Sequence, residues 1–533
     1  MKFFRSPEVL KRKRPIFLKV ELLEDRSLPS VTLGASFDGM SVNDTTCNCQ
    51  PPDTIAAVGP NHVIEMVNTA IRIIDKTTHT TQSTTELSTF FSPVFLGPNQ
   101  SDPFVTYDGP SGRFVVGILD YVNGSTPNHL DFAVSNGDPS NGSFTWTFKN
   151  YSVGEGSFFA DYPRAGWNKD AYFISFNMFS TSTGSFNHAQ TLTINKSTLA
   201  VASQHDYSSS LFTVTPAIMR GPVTGGPEYF VESSSGGGSS INIVTETNVL
   251  SSTPTFTVTS VAVPAYQTAP APRQPGGRNL ASFDARIFDA VSRTTRDGVS
   301  HLVAAHQIGL SGSKLGYARW YDFNVSGTPT LIQSGNQGGV TSNSTAFMPS
   351  VDINIAGSIG LNFDESSRNE FWSMYVTGRT VGMPLGTMQT PVRAVAGTAS
   401  SSDSRVGDFS AITVDPSDGL TFWAANEYQG SAFWNTRIAS FTVSGTATLV
   451  PANGLGSNLL AVPGQPTSQS MTSSQNAASV LTQTGASAAG WQSSGQPLDT
   501  SGVAAINVFW AEMAHWDVGP GDALTGAPLW LSV

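Results

Sequence analysis

The sequence predicts an all-β fold, a seven-bladed β-propeller with four antiparallel strands per blade, on three observations. The 533 residues include 50 Gly and 32 Pro among long Ser, Thr and Asn stretches, the composition of many short strands joined by turns. A strand–turn–strand plan recurs at long period. Within each repeat, Asp, Pro and Gly fall where turns need a preset or positive φ.

The repeats are led by Asp53, Asp102, Asp161, Arg220, Asp284, Ser350 and Asp408, spaced 49, 59, 59, 64, 66 and 58 residues apart. Each leading residue sits beside a short apolar strand, after which the chain turns and returns as a second strand rich in Val, Phe and Tyr. In the second repeat, 104–107 passes through Asp108-Gly109-Pro110-Ser111-Gly112 into 113–119, then 130–134 and 144–148. In the last, 411–414 turns at Asp415-Pro416-Ser417-Asp418-Gly419 into 420–425, and 437–443 follows. Radial closure of such sheets removes their open edges. The fourth repeat departs from the plan, because Arg220 replaces Asp and Pro222 interrupts the strand that should follow. Six blades, with that repeat as an insertion, is the alternative.

The repeats fill residues 40–445. Residues 1–39 are expected to be an export leader, 446–501 a low-complexity Ala/Ser/Gly/Gln/Thr linker, and 502–533 a short apolar C-terminal segment. Charged residues make up 13% of the chain, against about 25% in ordinary globular proteins. The net charge is −11, with +4 on residues 1–26 and −15 on the remainder. An acidic body lacks the clustered Lys and Arg that nucleic acid requires, so cations or neutral polymers are easier partners. No apolar run reaches the 18 residues of a membrane-spanning helix. The N-terminal apolar stretch Pro15-Ile16-Phe17-Leu18 is cut by Lys19 and is short for a secretory signal. Two cysteines, Cys47 and Cys49, flank Asn48. In an extended strand their side chains would stand about 6.5–7 Å apart, so a disulfide requires a tight turn at Asn48. A local staple and a pair of inert thiols both remain open.

Residues 20–30, Val-Glu-Leu-Leu-Glu-Asp-Arg-Ser-Leu-Pro-Ser, resemble the short Leu/Glu/Arg motif near the N-termini of exported planctomycete proteins. That resemblance implies an extracellular or cell-surface protein; an amphipathic leader helix without an address role is the alternative. The run from Cys47 to His62 with Met66-Val67-Asn68, the run from Asp131 to Trp146, and Gly407-Asp408-Phe409-Ser410 with the segment from Phe422 to Tyr428 resemble motifs of large secreted bacterial β-propeller proteins. This likeness covers about residues 45–445. The family is without an assigned activity and is similar in layout to sialidase-like propellers, so the resemblance implies fold and location more than function.

With the blades radial, Asp53, Asp102, Asp161, Asp284 and Asp408 are expected to ring one mouth of the central channel. Like charges there would favour a bound cation such as Ca2+, or a hydrogen-bonded sugar. The alternative is that each Asp caps the turn into its strand by accepting backbone N–H bonds. Arg164, Arg220 and Arg286 lie near the same points and would neutralise the ring. These eight residues are the candidate ligand-binding set; no catalytic residue and no metal ligand is assigned. A sialidase needs an arginine cluster, a Tyr nucleophile backed by Glu, and an acid/base Asp. Tyr162 beside Asp161, Tyr428 beside Glu427 and the three arginines supply those types, yet the Arg-Ile-Pro element and the S-x-D-x-G-x-x-W repeat are missing. Nine large aromatics, Trp167, Tyr172, Phe173, Trp320, Tyr321, Trp372, Tyr375, Trp423 and Trp434, are expected in the core between blades, with stacking on sugars as the alternative. The zinc-protease, nucleophile-elbow, Walker and EF-hand patterns do not occur. The expectation is a monomeric, non-catalytic binding and scaffolding module without a cofactor, with glycans or surface proteins as partners. A sialidase-like glycoside hydrolase is the alternative.

Overall fold

A computed structural model describes residues 30–122, 128–154, 156–221, 224–295, 298–430 and 433–444. The chain divides into two units, Met1–Gly445 and Thr446–Val533, and every described residue belongs to the first. Residues 1–29 of the leader expected over 1–39, the linker expected over 446–501 and the C-terminal segment expected over 502–533 lie outside the described residues. Among the described residues the helices are a 3-10 turn at Val42–Asp44 and one α-helical turn at Leu87–Phe90.

The first strand is β1 (Ser30–Ser41), so the boundary expected at residue 40 falls inside a strand. Strands β2 (Ile55–Val58), β3 (His62–Val67), β4 (Ala70–Asp75) and β5 (Thr81–Glu86) pair in that order as one antiparallel sheet. Every residue of β3 is buried, whereas β5, Thr-Gln-Ser-Thr-Thr-Glu, is mostly exposed. The inner strands are covered on both faces and carry continuous apolar runs, while the polar outer strand keeps the edge compatible with water. The next sheet is β6 (Asn99–Asp108), β7 (Arg113–Tyr121), β8 (His129–Ser135) and β9 (Trp146–Ser152). Its first hairpin turns through Asp108 to Arg113 with Gly112 at φ +66, as the turn chemistry predicts.

Strands β10 (Phe158–Trp167), β11 (Ala171–Ser180), β12 (Phe186–Asn195) and β13 (Val201–Asp206) repeat the pattern. The chain continues through β14 (Thr215–Pro216), β15 (Ile218–Arg220), β16 (Glu228–Ser233), β17 (Gly237–Thr247) and β18 (Thr255–Gln267). Here β14, β16, β17 and β18 pair antiparallel in that order. Pro216 has no N–H for a ladder bond, and β14 stops there. The short β15 instead pairs in parallel with β10 on one side and with β19 (Asp289–Thr294) on the other. Strand β19 heads a further antiparallel run with β20 (Ser300–Gly309), β21 (Gly316–Asn324) and β22 (Thr330–Gln337). Strand β15 joins the β10–β13 and β19–β22 runs, and a single pairing of β18 with β20, Gln267↔Gly309, adds the third, so that one thirteen-stranded sheet results.

Strands β23 (Thr345–Ile353), β24 (Ile359–Ser367), β25 (Glu370–Arg379) and β26 (Val392–Val395) form another four-stranded sheet. The last strands, β27 (Ala411–Val414), β28 (Phe422–Tyr428) and β29 (Asn435–Ser444), are completed by β1, which pairs antiparallel with β29 from Ser30↔Ser444 to Ser41↔Asn435. The two ends of the described segment are therefore fastened in one sheet.

The leading strands touch in a cycle: β27 meets β2, β2 meets β6, β6 meets β10, β10 meets β14 and β15, these meet β19, β19 meets β23, and β23 returns to β27. Apolar side chains fill the spaces between sheets, as with Phe104, Phe132, Trp167 and Tyr172 between the β6–β9 and β10–β13 sheets. All nine aromatics weighed above for stacking on a sugar are buried and belong to this packing. The expected all-β fold of four-stranded antiparallel sheets is met. One leading residue is misplaced: Arg220 closes β15 rather than opening a sheet, and β14 supplies the leading strand five residues earlier. Strands β14, β15, β16 and the start of β17 occupy the stretch between Thr213 and Ile243. Cys47 and Cys49 form a disulfide with Cα atoms 5.0 Å apart, and Asn48 at φ +48 supplies the turn.

Candidate binding site at the mouth of the inner strands

In or just before five leading strands one residue takes the same backbone conformation. Asp53, Asp102, Tyr162, Thr213 and Met348 have φ of +51, +60, +56, +55 and +48. For a residue other than glycine the left-handed region costs roughly 1–2 kcal/mol, so the surroundings must hold it. In β6, β10 and β23 the residue sits in a bulge, where the pairing register shifts and side chains are re-aimed.

The surroundings are a closed loop of hydrogen bonds. The Asp408 amide donates to Asp53 Oδ1 at 2.8 Å, and Asn68 Nδ2 donates to Asp53 Oδ2 at 2.5 Å. The Asp102 amide donates to Asn68 Oδ1 at 2.9 Å, and the Tyr162 amide donates to Asp102 Oδ2 at 3.1 Å. The Tyr162 hydroxyl closes the loop by donating to the Asp408 carbonyl at 3.2 Å. Asp53 and Asp102 thus accept backbone N–H bonds, but from the neighbouring sheet rather than from their own turns.

Burial sets the electrostatics here. It raises the Asp53 carboxyl to about 6, although the Asp408 amide and Asn68 pull it back. Burial also lifts Asp102 and Asp408 well above the carboxylate range. Like charge from Asp161, Asp53 and Asp408 adds to the effect at Asp102, and like charge from Asp53 adds to it at Asp408. Asp161, raised by burial, shares a hydrogen bond with Asp102. Glu427 lies behind the loop, fully buried, its Oε2 accepting the Gly407 amide at 3.1 Å, and burial raises it too. Each of these carboxyls is therefore harder to ionise than a free one. Among the described residues no group of three or more His, Cys, Asp or Glu side chains is arranged to hold a metal ion.

The rim is wetter and of mixed charge. Arg286 makes a two-point ion pair with Asp284, Nε to Oδ1 at 2.9 Å and Nη2 to Oδ2 at 2.8 Å, and its guanidinium lies 4.5 Å from the Tyr162 ring centroid and 5.0 Å from that of Phe212. Arg405, with 56% of its side chain exposed, stands 3.7 Å from Asp408. The disulfide hairpin borders the same mouth: Cys47 Sγ is 3.7 Å from the Asn68 carbonyl, and Gln50 Nε2 donates to the Arg405 carbonyl at 3.3 Å.

Of the eight candidate residues, Asp53, Asp102, Asp161, Asp408, Asp284 and Arg286 gather around Tyr162. Arg164 lies one layer deeper, 7% exposed, its guanidinium 5.0 Å from the Phe409 ring and its Nη2 donating to the Phe288 carbonyl. Arg220 is at the opposite end of the inner strands, paired with Asp352 through Nε at 2.9 Å and Nη2 at 2.5 Å, and bonded to Thr413. Asp352 and Thr413 come late in their strands, whereas the mouth residues come before or early in theirs; since β10, β15 and β19 run parallel, late positions share the far end. Arg220 therefore does not neutralise the Asp group. The sequence reading also missed Asn68, Arg405 and Phe409. Asn68 closes the Met66-Val67-Asn68 run singled out above, and Arg405 precedes Asp408 by three residues. The other sialidase-type pair is split, because Tyr428 donates to Asp38 of β1 at 3.0 Å. Tyr162 is 3% exposed, and burial raises its hydroxyl to about 12, the opposite of an activated nucleophile.

No family model matches the chain, and no curated protein matches it. Among solved structures it is similar to a hypothetical selenium-binding protein from Sulfolobus tokodaii, with 10% identity over 63% of this chain and 76% of that one, at a TM-score of 0.40. A protein of unknown function from Dyadobacter fermentans has 12% identity over 65% of this chain and 95% of its own, at 0.37. A subtype N11 neuraminidase-like protein of the isolate A/flat-faced bat/Peru (H18N11) has 10% identity over 68% of this chain and 96% of its own, at 0.34. Each TM-score is below 0.5, and the account of the fold rests on the strand pairing alone.

Proposed function

We propose that this chain is a seven-bladed β-propeller that serves as an extracellular or cell-surface binding and scaffolding module, taking a glycan or a surface protein at the mouth around Tyr162. The blade count is supported by the sheets β2–β5, β6–β9, β10–β13, β14 with β16–β18, β19–β22, β23–β26 and β27–β29 with β1, and by the cycle of contacts among their leading strands. One observation carries the choice of binding over catalysis: the Tyr162 hydroxyl and the carboxyls of Asp53 and Asp102 are engaged in the loop of hydrogen bonds, while half-buried Asp161, Asp284 and Arg286 and exposed Arg405 face the rim. Fixed carboxyls and a guanidinium beside aromatic rings suit hydroxyl-rich or charged ligands. No cofactor is part of the proposed function.

The test is a glycan array on the full chain, paired with release assays on sialylated and neutral oligosaccharides. Saturable binding without release, weakened at least tenfold by Arg286→Ala, is the expected outcome. Hydrolysis that disappears in Tyr162→Phe would establish the sialidase-like alternative instead.

A further inference from the structure

Beneath the mouth the leading strands line a partly open cavity of about 40 Å³ whose polar lining is Arg164, Asp289, Ser410, Thr413 and Thr106. A water needs about 10–15 Å³ by this measure, so the space admits roughly three water-sized particles. Two donors on its wall are unused. Arg164 Nη1 has no hydrogen-bond partner although the residue is only 7% exposed, and Ser410 Oγ has none at 3% exposed. Buried donors in native proteins are paired as a rule, and a charged one left alone is especially costly.

The charges around the cavity lean positive. Asp289 faces Arg164, but its oxygens already accept the Ala290 and Val351 amides at 2.9 and 3.2 Å, and burial raises it to about 7. Counted with the far end, the guanidiniums of Arg164, Arg220 and Arg293 outnumber the carboxyls of Asp289 and Asp352 by three to two. At the far end Asp352 is matched by Arg220, and Arg293 adds a second guanidinium, pushed down to about 10 by burial and by the like charge of Arg220. Thr413, itself bonded to Arg220 Nη2 at 2.9 Å, links that end to the cavity.

From two unpartnered buried donors, a surplus of guanidinium charge and a space of this size, we propose that the axial cavity is a binding site for a halide-sized inorganic anion held by Arg164 Nη1 and Ser410 Oγ. The rest of the wall is Ala, Ile, Val, Phe and Pro, which offers no side-chain donors to a larger oxyanion. The ion holds Arg164 in place below Tyr162 and Phe409, and so props the floor of the mouth from underneath.

Bromide is the probe. Crystals of the full chain grown in sodium bromide and measured at the bromine edge are expected to give an anomalous peak within hydrogen-bond reach of Arg164 Nη1 and Ser410 Oγ. In solution, the thermal midpoint should rise with sodium bromide or chloride relative to sodium gluconate of equal ionic strength, whose anion is too large for the cavity. Ser410→Ala, a small change expected to fold, and Arg164→Met should each reduce that halide response. Water-level density without an anomalous signal, or a halide response unchanged in Ser410→Ala, would overturn the site.

Discussion

Asn68 fastens two neighbouring leading strands, giving its Nδ2 to Asp53 and accepting the Asp102 amide. Removing it strands a buried carboxyl oxygen and a backbone donor, each worth about 1–3 kcal/mol when left unsatisfied. Asn68→Ala should therefore lower the urea midpoint measurably with little change in slope; an unchanged midpoint would mean that water replaces the amide without loss. The Asp positions of the mouth were legible in the sequence because an Asp recurs near the start of most repeats, although Asp53 and Asp102 share one position and Asp161 stands one residue before it. Their partners were not. The bond from Asp408 to Asp53 joins residues 355 apart, and the bond from Tyr162 to Asp102 joins residues 60 apart. Arg164 was misjudged for a local reason: two residues along the strand from Tyr162, it lies a layer deeper and lines the cavity instead of the mouth.

Strand β1 completes the last sheet and fastens it to the first. Glu65 of β3 accepts the Met40 amide at 2.9 Å and the Thr436 hydroxyl at 2.5 Å, and Arg72 of β4 gives Nη1 to the Gly39 carbonyl at 2.8 Å. Gly39 is needed for this close approach, since a Cβ there would come within 2.4 Å of Thr436 Oγ1 and 2.5 Å of Glu65 Oε1. Gly39→Ala forces β1 away from β29, and such overpacking costs about 1–3 kcal/mol. Hydrogen exchange should then quicken in β1 and β29 while β7 and β8 keep their protection; equal protection in β1 would show that the strand yields at no cost. The sequence pattern concealed β1, because its polar alternation, Ser-Val-Thr-Leu-Gly-Ala-Ser-Phe-Asp, sits beside a leader-like segment and its partner lies some 400 residues away. It concealed β15 for a different reason. The three residues between Ala217 and Gly221 pair in parallel with β19, and Ile218 also with β10, and turn chemistry carries no signal for such pairing.

At the scale of the whole molecule, the low charge of the sequence has a counterpart in the interior, where several carboxyls are buried. Burial raises Asp53 to about 6, Glu65, Asp131 and Asp289 to about 7, and Glu246 to about 8. Each of these folded values lies above the unfolded one near 4, so the folded chain binds more protons between them, and stability falls as pH rises. The stabilising contribution is complete below about pH 4 and is lost through pH 6–8. Calorimetric midpoints should accordingly be several degrees higher at pH 5 than at pH 9, and Glu65→Gln should flatten part of that slope. A midpoint that rises with pH over this range would contradict the burial of these groups. The overall architecture was legible because turn residues and apolar runs repeat locally, whereas the mouth was only half legible because closure brings its parts together.

That closure builds the mouth is the central claim, and a crystal structure of the full chain tests it most directly. The account predicts seven four-stranded sheets in one ring, β1 outermost on the sheet of β27–β29, and the Asp408, Asp53, Asn68, Asp102 and Tyr162 loop of hydrogen bonds intact across the closure. Strands β14 and β16–β18 lying outside the ring, or Asp408 separated from Asp53, would contradict it.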